Sequence, residues 1–258
     1  MINIIVHGFM GKMGQVILRL IDEDEGLHIA AGIDPGADES REFPTFKNLS
    51  DCDVPADVII DFSTAKAIPA LLDYVKERKI PLVLCTTGLD EETIRKSEEV
   101  SKNTAVFRSY NMSLGINLLA SILGKYSNIL KNAGFDIEII EKHHNLKIDA
   151  PSGTAILLAD AVNDGLSEKC DYVYERASKR ERRSKNEIGL HSVRGGTIVG
   201  EHSVIFAGLD EVIELKHNAY SKEVFGTGAI NAAKFMAGKT NGMYNMGDLI
   251  MTTLKRVV

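Results

Sequence analysis

His143 and His144 stand side by side, Lys147 follows within the same loop-like segment, and Pro151, Ser152, Gly153 and Thr154 follow Asp149 after a single alanine. Histidine titrates near neutral pH, so either ring can give a proton to an atom that is receiving a hydride. Lys147 offers a compact positive charge to a carboxylate, or to charge that develops in a transition state. The run "DAPSGTAILLAD" sets Pro151 and Ser152 just ahead of a helix, with Gly153 and Thr154 in its first turn, where free backbone N–H groups favour an anion. Four cationic or donor elements in a dozen residues suit an anionic, multiply carboxylated small molecule. Either histidine alone would more commonly be an ordinary buried or surface residue. A zinc site drawn from His143, His144, His191, His202 and His217 lacks any HxxxH or CxxC pairing, so no metal is expected.

A second group of residues lies near the N-terminus. "VHGFMGKMGQ" places Gly8, Gly11 and Gly14 where a first strand should meet a first helix. Gly8 permits a tight turn, Gly11 lets backbone approach a pyrophosphate, and Gly14 lets helix pack on strand. The commoner middle glycine is Met10 here, so the turn by itself could also be a ligand-free strand–helix connection. Asp34 tips the balance: it ends a second apolar run twenty residues after Gly14, where an acid accepts hydrogen bonds from the adenine ribose. A carboxylate there repels a 2′-phosphate, and Pro35 follows it rather than a neutralising arginine. NADH is therefore the preferred cofactor, with Arg41 able to soften the exclusion of NADPH. Cys85 lies at a strand end with no base in view and reads as an inert buried thiol.

These residues need elements to hold them. Short apolar runs alternate with helical patterns over the first ~110 residues, which implies βαβ units and a parallel sheet covered on both faces. Pro69 should kink or shorten the first turns of the helix in "TAKAIPALLDYVKERK". Beyond it, "SLGINLLASILGKYSNILKN" is apolar nearly all round and is expected between two layers. A strand, a helix and three β-rich segments follow ("EIGLHSVRGG", "IVGEHSVIFAGLDE" and "VIELKHNAYS"), suggesting a meander-like open sheet. The fold class is α/β: a Rossmann-like dinucleotide-binding domain at 1–112, then an α+β substrate-binding, catalytic and oligomerisation domain with an open mixed sheet at 113–237. The segment near 238–258 is expected to pack back on the first.

The 258 residues are 44% hydrophobic with a net charge of −6, which gives no general attraction for nucleic acid or anionic membrane. The basic run at 176–185 has six Lys/Arg against one Glu and no aromatic residue, and reads as a solvated loop. No apolar run approaches a membrane span, no leader pattern precedes the first strand, and three scattered cysteines form no disulfide framework. The expected location is the cytoplasm.

"IIEKHHNLKIDAPSGTA" resembles the signature segment of the 4-hydroxy-tetrahydrodipicolinate (dihydrodipicolinate) reductase family. So do the glycine turn, "CTTG", "YNMSLGIN", "SVRGGTIVGEHSVIF" and the closing helix. The resemblance implies NAD(P)H-dependent reduction of 4-hydroxy-tetrahydrodipicolinate on the diaminopimelate route to lysine. In that scheme hydride passes from nicotinamide C4 to substrate C4, His143 protonates the neighbouring position and Lys147 assists, while the hydroxyl leaves as water. His144, Gly153 and Thr154 resemble contacts to substrate carboxylates. Gly8, Phe9, Met10, Gly11, Lys12 and Met13 resemble the phosphate loop, and Asp34 the ribose acid. Cys85, Thr86, Thr87, Ser109, Tyr110, Asn111 and Met112 resemble the loops around the nicotinamide. A homotetramer built through the second domain's sheet and a hinge near 110–115 are implied as well. Met10, Cys85 and the missing arginine after Asp34 depart from the family pattern. A non-catalytic NADH-responsive regulator, or another amino-acid semialdehyde dehydrogenase on the same plan, is the alternative reading.

Overall fold

The computed structural model describes residues 1–38 and 40–257, and of 254–257 the backbone. The chain forms two compact units, Met1–Ser113 with Glu223–Val258, and Leu114–Lys222.

The first unit contains strands β1 (Ile2–His7), β2 (Leu27–Ile33), β3 (Thr45–Phe46), β4 (Val58–Asp61), β5 (Leu82–Leu84), β6 (Val106–Arg108) and β12 (Met243–Tyr244). They lie in the order β12-β6-β5-β4-β1-β2-β3, with every pairing parallel. The inner strands are buried on both faces, which is why they read as unbroken apolar runs rather than alternations. Helices α1 (Lys12–Asp22), α2 (Ile68–Arg78), α3 (Glu91–Ser101), α6 (Glu223–Met236) and α7 (Met246–Val257) complete the unit. Ile17, Leu18 and Ile21 of α1 share one core with Ile4 and Val6 of β1. Pro69 falls in the first turn of α2, where its missing N–H costs nothing, so the proline shortens the element instead of kinking it.

The sequence assigns 223–237 to the second unit. In the structure α6 belongs to the first, because Ala229, Ile230, Ala233 and Met236 complete the core that holds Ile4, Val6 and Phe107.

The second unit contains α4 (Leu114–Asn132), β7 (Asp136–His143), α5 (Gly153–Gly165), β8 (Asp171–Val173), β9 (Glu187–Arg194), β10 (Gly200–Ala207) and β11 (Val212–Ala219). Its sheet runs β11-β10-β7-β9-β8. Only β10 and β11 form a hairpin; β9 pairs parallel to β7 on the other side, so the sheet is mixed and not a meander. Helix α4 buries Ile116, Leu119 and Leu123 but exposes Leu118, Tyr126 and Ile129, so within this chain it is covered on one face rather than held between two layers.

Strand β7 alternates strictly, with Ile137, Ile139, Glu141 and His143 on its buried face. Ile137 and Ile139 join the core made with Leu123, Leu158 and Val162 from the covering helices. The period of two then delivers Glu141 and His143 to the same face at the strand's C-terminal end. Arg183, from the basic run, is not a free surface charge. It donates to Glu138 and Asp136, and to the carbonyls of Ile137 and Glu187, binding the segment to the sheet.

Candidate active site

In the second unit the polar end of β7 is built around one carboxylate. Glu141 has no solvent exposure, and both its oxygens are occupied. Oε2 accepts from His143 Nδ1 at 2.6 Å and from Arg194 Nη1 at 2.7 Å. Oε1 accepts from Arg194 Nη2 at 2.7 Å and from the Ser152 backbone N–H at 3.1 Å. Burial alone would raise this carboxyl, but the bonds from Arg194 and His143 outweigh it and hold it at about 2. Register explains the meeting, since β9 lies parallel beside β7 with Arg194 opposite His143.

His143 is nearly buried, and among the described residues no group bonds its Nε2. A Cβ at position 200 would stand 3.2 Å from that nitrogen, so Gly200 leaves it uncovered. His202 of β10 packs edge-on against the His143 ring, with centroids 5.1 Å apart. Its Nε2 meets Ser152 Oγ at 3.0 Å, while its buried Nδ1 has no partner among the described residues. Burial, and then the neighbouring His143, push His202 down to about 4, so it is neutral near pH 7.

Lys147 Nζ donates to both oxygens of Asp149, at 2.7 and 2.9 Å, and this lowers the Asp149 carboxyl. His144 is half-buried, with an unpartnered Nδ1 among the described residues. Ser152 caps α5 by accepting the Ala155 N–H at 3.2 Å, so Gly153 and Thr154 fall in the first helical turn as the sequence implies. The expected residues of this segment therefore lie together: a histidine with one nitrogen committed, a lysine with one counter-ion, and a helix N-terminus.

In the first unit, the end of β1 turns sharply into α1. Gly8 has φ +81°, and a Cβ on it would lie 2.7 Å from the Phe62 carbonyl carbon. A Cβ on Gly14 would lie 2.2 Å from the Gly8 carbonyl oxygen. Both positions require glycine, one for conformation and both for close backbone approach. Gly11 precedes α1 and no side chain caps the helix, which leaves its N-terminus suited to a phosphate. Asp34 follows β2 and accepts the Gly36 N–H at 2.9 Å. It lines a cavity of about 800 Å³ together with Gly8, Gly11, Pro35 and Tyr74. The Arg41 guanidinium lies 5.9 Å over the Phe9 ring, beside the turn. Glycine turn, uncapped helix, acid and cavity fit a dinucleotide.

The remaining expected cofactor residues differ in what they present. Phe9 is buried and packs edge-on to Phe43, so only its backbone is available, whereas Met10 and Lys12 are exposed and Met13 half-buried. Thr86 Oγ1 donates to Asp61 at 2.6 Å, and Thr87 is exposed. Cys85 is half-buried rather than buried as the sequence suggests, but the desolvation around its thiol, and then Asp61, push it well up, which argues against a nucleophile. Tyr110 is almost wholly exposed and Ser109 partly so, while Asn111 and Met112 are buried.

The sequence reading assigned no role to Glu141, Arg194, Gly200, His7 or Asp61. It took His202 only as a conceivable zinc ligand. His7 Nδ1 lies 2.7 Å from a fully buried Asp61, which also accepts from the Ser63 hydroxyl and from Thr86. Arg194, Gly200 and His202 do lie in the 192–206 segment that resembles the family, but nothing local to that segment says that they meet β7.

The family described as "Dihydrodipicolinate reductase, N-terminus" matches residues 2–112, and "Dihydrodipicolinate reductase, C-terminus" matches residues 115–250. A 4-hydroxy-tetrahydrodipicolinate reductase of Caldanaerobacter subterraneus subsp. tengcongensis is 53% identical over 97% of this chain and 98% of its own. One from Clostridium novyi is 52% identical over 97% and 98%. Among solved structures, a dipicolinate-bound dihydrodipicolinate reductase from Paenisporosarcina sp. TG-14 superposes with a TM-score of 0.77 at 24% identity, covering 95% of this chain and 97% of that one, which speaks for the fold. The two family matches account for almost the whole sequence, and the chain belongs to the dihydrodipicolinate reductase family.

Proposed function

We propose that this chain is an NAD(P)H-dependent reductase of 4-hydroxy-tetrahydrodipicolinate, with His143 as the general acid and Lys147 as its partner in charge stabilisation. The first unit would hold the cofactor through the Gly8–Met13 turn, with Asp34 on the adenine ribose and the loops at 85–87 and 109–112 beside the nicotinamide. The bound nicotinamide supplies the hydride. All the other chemistry falls to the protein. His143 Nδ1 is committed to Glu141, so Nε2 is the atom that gives its proton to the carbon next to the reduced centre. Lys147 holds a substrate carboxylate in exchange for Asp149. His144 and the N–H groups of Gly153 and Thr154 take the other carboxylate, which suits a small dicarboxylate such as the ligand named for the Paenisporosarcina relative.

The observation that carries the reading is a buried histidine with one ring nitrogen bonded and the other uncovered, on a strand that leads directly into a lysine-bearing loop and a helix N-terminus. Asp34 favours NADH, and Arg41 beside the turn supports tolerance of NADPH. The same reading carries the expectation of a cytoplasmic homotetramer, whose size light scattering would give. No helix among the described residues is long and apolar enough to cross a membrane.

The test is oxidation of NADH, and separately of NADPH, with freshly generated hydroxy-tetrahydrodipicolinate. Substrate-dependent oxidation is the expected result, faster with NADH. Protein that binds NADH but turns over with neither cofactor would overturn the reading and leave the regulator alternative.

A further inference from the structure

We propose that the Glu141–Arg194 ion pair is the positioning device of this site, fixing which nitrogen of His143 carries the transferable proton and how readily that proton leaves. The proposal rests on the reading of His143 as the general acid.

A general acid must present its proton at one nitrogen only. Here the Glu141 carboxylate takes the Nδ1 hydrogen at 2.6 Å, which reserves Nε2 for transfer. An unopposed carboxylate in that place would also grip the proton, since an opposite charge within bonding range raises a histidine by about 1–3 units. Glu141 is not unopposed. Arg194 bonds both its oxygens at 2.7 Å, and guanidinium keeps its charge at every working pH. The ring is therefore oriented by a carboxylate whose charge is already largely matched.

Other charges around His143 are balanced or absent. Lys147, in the loop after β7, is paired with Asp149. Asp149 also anchors the arginine, through its backbone carbonyl to Nη2 at 2.6 Å. From β10, His202 faces the ring in its neutral form, and His217 of β11 is lowered by burial as well. From the start of α5 only the neutral Ser152 contributes. Among the described residues, Glu141 is the one charged group bonded to His143, so whatever changes its charge must appear in the histidine.

The experiment uses the full chain as wild type, Glu141→Gln, Arg194→Met and Arg194→Lys. Nitrogen-15 NMR gives the titration midpoint and tautomer of His143 without cofactor or substrate, and the pH profile of kcat/KM is measured beside it. Glu141→Gln should lower the midpoint by about one unit and mix the tautomers; Arg194→Met should raise it by about one unit. Arg194→Lys, which keeps the charge, should return it towards wild type. The basic limb of kcat/KM should move with the midpoint in each variant. If Glu141→Gln does not fold by circular dichroism, the two arginine variants still decide, because they predict opposite extents. An unchanged midpoint in Arg194→Met, or a fall, overturns the proposal. Midpoints that shift as described, in an enzyme whose kcat/KM ignores them, would instead overturn His143 as the acid and leave the positioning role standing.

Discussion

The two units each hold a buried histidine Nδ1 against a buried carboxylate, His7–Asp61 at 2.7 Å and His143–Glu141 at 2.6 Å, yet the surroundings of the two pairs are opposite. Asp61 is ringed by neutral donors, the hydroxyls of Ser63 and Thr86 and the Ser63 N–H, and among the described residues it has no arginine or lysine partner. Glu141 has a bidentate guanidinium. The first arrangement ties the ends of β1 and β4 and the loop after β5 into one knot. In the second, the charge is met by Arg194 and the ring keeps one nitrogen unbonded among the described residues. Distance alone would not tell the two apart; the third partner does.

The sharpest way to break this contrast is by turnover. His143→Ala should lower kcat by about 10²–10³, with Lys147→Ala of similar size, while cofactor binding persists. His7→Ala should cost less than about tenfold in kcat. If the two histidine variants lose activity equally, the contrast is wrong. Stability is the complementary readout. His7→Ala strips a donor from a buried carboxylate and should cost about 1–3 kcal/mol by urea denaturation, without moving the pH profile of the reaction.

A smaller and more selective effect comes with acid. His202 titrates at about 4 in the folded chain against an ordinary 6.5, so the unfolded chain takes up that proton first. Stability present above about pH 6.5 is lost as the pH falls towards 4, amounting to roughly 2 kcal/mol at pH 5. Glu141, at about 2 against 4.5, adds to the loss in the same direction below pH 4.5. Hydrogen exchange at pH 5 should therefore show α5 and β10 losing protection before β1 and β4. The reverse order would count against the neutral His202.

How much of this could be read in advance follows sequence distance. The placement of the glycine turn and Asp34 was legible because strand, turn, helix and acid are consecutive in the chain. His143, Lys147 and the start of α5 were legible for the same reason. Their supports were not. Arg194 reaches Glu141 across 53 positions and Ser152 meets His202 across 50, joined only by the pairing of β9 and β10 on either side of β7. Three consecutive β-rich segments suggest a meander, and nothing local in them announces that β9 crosses to the far side of β7. Helix α6 was misplaced because its small residues carry little directional signal; its partners are fixed by the core of β1 and β6, far upstream.

That placement of α6 has a consequence for how the protein is made. The first unit begins with residue 1, yet Ala229, Ile230, Met236, Met246 and Leu249 belong to the same core as Ile4 and Val6. Everything in Leu114–Lys222 is synthesised in between. At about 5–20 residues per second, a ribosome needs roughly 5–20 s to deliver that intervening unit. During that interval the earliest strands wait with one face of their sheet covered by α1 but not yet by α6 and α7, while the inserted unit already has every strand of its own. The part of the molecule spelled first is the last to close, and a chain cut short at residue 222 would leave the second unit whole and the first exposed.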